Sequence, residues 1–151
     1  MAESRAKRMQ VVLTLAERQE DEAVKKLSQF REQLDMEIQQ LADLRDYANQ
    51  YLHAQGELRQ GVLAHELINY SSFINRLNEA CVEQETKVER YKVMLETLQQ
   101  QWRVKHQKRK SIADLIVRLQ QEDNLLLDKR LQKELDELSS QQFQRQSRDN
   151  E

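Results

Sequence analysis

Three histidines, one cysteine and one run of basic residues are the side chains of this 151-residue chain best suited to chemistry. His53, His65 and His106 lie far apart, and none stands at metal-ligand spacing with a cysteine. Each reads as a surface histidine on a helix. Cys81 has no second cysteine with which to form an internal disulfide, which fits a reducing compartment. It falls in an apolar row and reads as a small core residue. No phosphate-cradling glycine loop, nucleophile elbow or H-E-x-x-H is present. No residue set for catalysis, a cofactor or a metal emerges, and an enzyme is not expected.

The basic run Arg103-Val-Lys-His-Gln-Lys-Arg-Lys110, beside Trp102, is the candidate for nucleic-acid contact. The net charge is −2 and the pI ≈ 6.0, whereas nucleic-acid-binding domains are usually basic. The run reads as a solvated face, or as a contact for an acidic protein surface. Nucleic acid is not an expected partner.

The elements that carry these residues are helices. The chain has no proline and two glycines, and charged residues make up 33% of it. Hydrophobic residues reach 38% and mean hydropathy is −0.90, too polar for a compact globular core. Disorder competes with folding in such compositions. The near-zero net charge and the strict spacing of apolar residues decide for long helices, built from Leu, Glu, Gln, Arg and Lys. No stretch approaches the ~20 apolar residues of a membrane span, so direct membrane insertion is not expected. The basic N-terminal residues Arg5, Lys7 and Arg8 lead into Glu17, Glu20, Asp21 and Glu22, unlike a cleavable signal. A cytoplasmic location is the default.

Both glycines, Gly56 and Gly61, fall in one stretch, and Asn69, Ser71 and Ser72 follow as candidate helix caps. The reading is a single α-hairpin over residues ~1–140: a helix over ~4–54, a turn over ~55–69 and a helix over ~70–140. Residues ~141–151 lose the apolar period and are expected to form a disordered tail.

In the first helix Leu13, Leu27, Leu34, Leu41 and Ala48 recur at sevenfold intervals, with Glu20 interrupting. Ala16, Ala23, Phe30, Leu44 and Tyr51 form the companion row, broken by Glu37, and Val24, Ile38 and Leu52 widen the stripe. In the second helix Leu77, Tyr91, Leu98, Ile112, Leu119 and Leu126 form one row, interrupted by Gln84 and Lys105. Cys81, Val88, Leu95, Trp102 and Ile116 form its neighbour. A heptad stripe held this long is a coiled-coil seam.

Two such stripes joined by a short turn must fold back on each other. The expected fold is all-α: a long antiparallel two-stranded coiled-coil hairpin with the second helix overhanging. Facing residues have numbers that sum to roughly 124, if the turn is placed as above. That register sets Tyr51 near Phe73, Leu44 near Ala80 and Leu34 near Tyr91, and the acidic run 17–22 beside the basic run 103–110. The overhang carries Leu125, Leu126, Leu127, Leu131, Leu135 and Leu138 with no partner inside the chain, the mark of a protein contact. Around the turn, Tyr47, Tyr51, Tyr70 and Phe73 gather four of the eight aromatic residues. They suit either a core plug or a contact surface. Tyr47 lies off the main rows and is the better surface candidate.

At the turn the sequence resembles a known family. Asp43-Leu-Arg-Asp-Tyr-Ala-Asn-Gln-Tyr51 and Ile68-Asn-Tyr-Ser-Ser-Phe-Ile-Asn-Arg-Leu77 are similar to the D-Y-x-x-x-Y and I-N-Y-x-x-F-I-x-x-L motifs of the flagellar export protein FliJ family. The likeness spans nearly the whole chain and includes Trp102-Arg103 followed by a Lys/Gln-rich run.

This resemblance implies a small, non-enzymatic cytoplasmic component of the flagellar type III secretion apparatus, peripheral at the inner-membrane flagellar base. It implies a stalk-like part that couples the export ATPase hexamer to the cytoplasmic domain of the export gate protein FlhA and escorts export chaperones. The family's gate-contacting positions fall on Gln40, Leu44, Tyr47, Tyr51, Phe73, Leu77, Ala80 and Gln84. The best-known members carry histidine at the last of these; Gln84 can hydrogen-bond but supplies no imidazole. The resemblance places this end of the chain in the ATPase ring, which makes the unpartnered leucines Leu126, Leu127, Leu131 and Leu135 the candidate ATPase contact. A general coiled-coil holdase, or a structural scaffold unrelated to secretion, is the rival expectation.

Overall fold

The computed structural model describes residues 4–57 and 63–150, the side chains of Gln55 and Glu57 excepted. Two helices account for it: α1, Arg5–Glu57, of 53 residues, and α2, Ala64–Asp149, of 86. The fold is the expected all-α helical hairpin, and no strand occurs among the described residues. No described helix is long and apolar enough to cross a membrane.

Local chemistry sets the helix starts. Ser4 caps α1: its hydroxyl accepts from the Lys7 N–H at 3.2 Å and its carbonyl from the Arg8 N–H at 3.1 Å. At α2 the Leu63 carbonyl accepts from the Glu66 and Leu67 N–H groups at 3.1 and 3.2 Å, and Glu66 puts a negative charge in the first turn, where the helix dipole favours it.

Three boundaries differ from expectation. α1 runs on to Glu57 and takes in Gly56, around which a Cβ would meet nothing within 4 Å. α2 begins at Ala64, so Asn69, Ser71 and Ser72 are helical rather than caps. Capping residues are tolerated inside a helix at modest cost, and Ile74 and Leu77 just beyond them are buried and fix the segment. Gly61 and the rest of the expected turn at 58–62 lie outside the described residues. At the other end, α2 continues through residues 141–149, where a disordered tail was expected. Gln, Arg and Ser there contain no glycine or proline to stop it.

The chain divides into two compact units, one of Asp21–Val104 and one of Met1–Glu20 with Lys105–Glu151. In the first unit, Leu34, Leu41 and Val88 form a buried cluster with Tyr91 and Leu95 against it. Ala48, Leu77 and Cys81 form another, covered by Leu44 and Tyr51. Tyr51 meets Phe73, and Glu37 meets Lys87, pairs whose numbers both sum to the expected 124. Val24, Ile38 and Leu52, expected to widen the seam, are instead more than 40% exposed. A two-stranded seam covers its two central rows and leaves flanking positions in water.

In the second unit, Ala6, Ala16, Ile116 and Leu119 are buried, and Leu13 and Ile112 are half-buried. From Gln120 to Asn150 every residue is exposed.

Candidate functional site

The polar interruptions of the heptad rows meet one another. Gln84, buried between the helices, donates from Nε2 to the Glu37 backbone carbonyl at 3.0 Å and to the Glu37 carboxylate at 2.5 Å. Lys87 Nζ reaches the same carboxylate at 3.0 Å. The Gln84 hydrogen bond, joined by that of Lys87, outweighs burial and holds the Glu37 pKa below its ordinary value. In the other unit, Glu20 of the acidic run accepts from His106 Nδ1 at 2.8 Å and from Arg109 Nε. Burial raises the Glu20 pKa, but the hydrogen bonds and charges of His106 and Arg109 outweigh it and the net shift is downward. The basic run is thus partly neutralised inside the chain. Among the described residues, no group of three or more His, Cys, Asp and Glu could hold a metal.

The aromatic residues at the start of α2 and the end of α1 form one connected surface. Tyr47 and Tyr51, four residues apart on α1, share a hydroxyl–hydroxyl hydrogen bond of 3.1 Å, with ring centroids 4.8 Å apart. That bond and the Tyr47 charge push the Tyr51 phenol pKa up. On α2, Phe73 lies 4.9 Å and Tyr70 5.7 Å from the Tyr51 ring. The Tyr70 hydroxyl donates to the Tyr51 backbone carbonyl at 2.9 Å, tying one helix to the other. Tyr47 is 46% and Phe73 41% exposed, while Tyr51 and Tyr70 are half-buried. The cluster is both plug and surface: its inner rings pack, and its outer rings face water.

The remaining positions that the resemblance assigns to gate contact divide by burial. Gln40 is exposed, Leu44 and Ala80 are half-buried, and Leu77 and Gln84 lie in the core between the helices. Tyr70 and Glu37, the partner of Gln84, are not among the residues expected at this site, yet both belong to it. The first stands three residues before Phe73, on one helix face; the second breaks the row opposite Gln84. Leu126, Leu127, Leu131 and Leu135 are 50–64% exposed, and Leu125 and Leu138 share that exposure. By helical rotation Leu127, Leu131, Leu135 and Leu138 fall on one face.

The geometry defines a class first: a two-helix coiled coil that leaves apolar and aromatic side chains exposed. Residues 5–148 match the family described as Flagellar FliJ protein, and the chain belongs to that family. It is similar to the Flagellar FliJ protein of Escherichia coli (strain K12), with 28% identity over 127 residues covering 83% of this chain and 86% of the relative. No solved structure matches. Membership makes the chain a flagellar export component of a non-catalytic family.

Proposed function

We propose that the protein couples the export ATPase ring to the export gate without chemistry of its own, and that it escorts export chaperones. It works on the cytoplasmic face, peripheral at the flagellar base. The observation that carries this reading is the aromatic surface of Tyr47, Tyr51, Tyr70 and Phe73, too exposed to serve packing alone. Large aromatic rings at a surface are the residues that dominate protein contacts. In this reading the surface binds the cytoplasmic domain of the gate protein FlhA, with Tyr47 and Phe73 in direct contact. Gln40 contributes at its edge, and Leu44, Leu77, Ala80 and Gln84 hold the helices in the register that presents them. The exposed leucines Leu126, Leu127, Leu131 and Leu135 bind the ATPase.

Calorimetric titration of the purified gate domain tests it. Tyr47→Ala should weaken binding by more than ~1 kcal/mol while far-ultraviolet circular dichroism stays at the wild-type level. Equal affinity with full helicity would remove the aromatic surface from the contact. Capture of many unfolded chains, with neither gate nor ATPase among them, would favour a holdase instead.

A further inference from the structure

On α2, Glu66, Asn69, Tyr70 and Phe73 share one face, since they stand three, four and seven residues apart. With Tyr51 of α1 they line a shallow surface groove of about 370 Å³. Three of the five lining residues are aromatic, and the Tyr70 and Phe73 rings are tilted against Tyr51 by 38° and 53° rather than stacked flat. The Tyr70 ring is fixed by its hydroxyl's bond to the Tyr51 carbonyl. Glu66 is exposed in the first turn of α2, and its carboxylate makes no ion pair among the described residues.

Aromatic faces carry negative electrostatic potential and attract cations, and a carboxylate at the rim adds a full charge. The chain already uses this chemistry once, where Lys87 Nζ lies 5.6 Å from the Tyr91 ring centroid. The geometry points to a groove that receives one basic side chain, arginine or lysine, from the protein that docks on the aromatic surface. The inference rests on the gate-binding reading and gives the docking partner a chemistry. Glu66 and the ring faces then set specificity, beyond the apolar area that Tyr47 supplies.

The test compares gate-domain binding to the full chain and to its Glu66→Gln variant, with helicity checked on both. The variant should bind about fivefold more weakly, and added salt should weaken wild-type binding more than the variant's. Equal or tighter binding by Glu66→Gln, with Tyr47→Ala still impaired, would mean an apolar occupant and overturn the inference while leaving the gate reading intact. If the wild-type chain does not bind the gate domain, the gate reading falls. The groove is then decided by titrating the chain with N-acetylargininamide and its uncharged citrulline analogue. Movement of the Tyr70 and Phe73 ring resonances with the arginine compound alone supports a cation site; equal or absent movement with both contradicts it.

Discussion

Glu20 and Glu37 each interrupt an apolar row of α1, and each finds its partners across the hairpin. Both carboxylates have folded-state pKa values below the ordinary value of 4.5. A depressed carboxylate pKa stabilises the fold above the unfolded value, and that contribution is lost as pH falls through the folded value. Thermal melts followed by circular dichroism should therefore lose midpoint temperature as pH drops below about 4.5. The double variant Glu20→Gln, Glu37→Gln should show a flatter profile; an unchanged slope would place the acid sensitivity elsewhere. Gln84 belongs to the same set. Gln84→Ala should cost about 1 kcal/mol in denaturant unfolding, because the variant loses two hydrogen bonds between the helices. These pairings were half legible in the sequence: the breaks in the rows were plain, and the register placed acidic beside basic. That Glu37 would face Gln84 needed the rotation of both helices, which spacing alone does not supply.

At the scale of the element, the seam was legible because two central rows repeat every seven residues. Leu34, Leu41, Ala48, Leu77, Cys81 and Val88 are all buried as those rows require. Leu41→Ala should destabilise by about 2 kcal/mol, since the seam has no surplus packing to collapse into the gap. The ends were less legible. Asn69, Ser71 and Ser72 looked like caps, yet burial of Ile74 and Leu77 holds α2 helical through them. The last turns, to Asp149, lack any apolar period and are helical through propensity alone. The leucines between these ends are exposed among the described residues. Leu126→Asp with Leu131→Asp should leave the helical signal and melting midpoint within about 0.5 kcal/mol of wild type, because exposed positions tolerate substitution. The same pair should weaken ATPase binding; unchanged affinity would move that contact off the leucines.

For the whole molecule, a mean hydropathy of −0.90 and heptad spacing pointed to long helices rather than a compact globular core. The aromatic surface belongs to the Asp21–Val104 unit and the exposed leucines to the other, so one chain carries two exposed apolar surfaces of different chemistry. Their exposure was partly foreseen: Tyr47 off the rows was read as surface, and it is. The partners proposed for these surfaces come only from the family resemblance, because heptads specify a seam and carry no information about partners. In the proposed function, one chain joins two partners. Co-sedimentation of the export ATPase with the gate domain, with and without this protein, tests it most directly. The gate domain should sediment with the ATPase only when the protein is present, and either Tyr47→Ala or the Leu126→Asp, Leu131→Asp pair should reduce the bridging. Gate domain that sediments equally without the protein, or bridging undiminished by either set of substitutions, would contradict it.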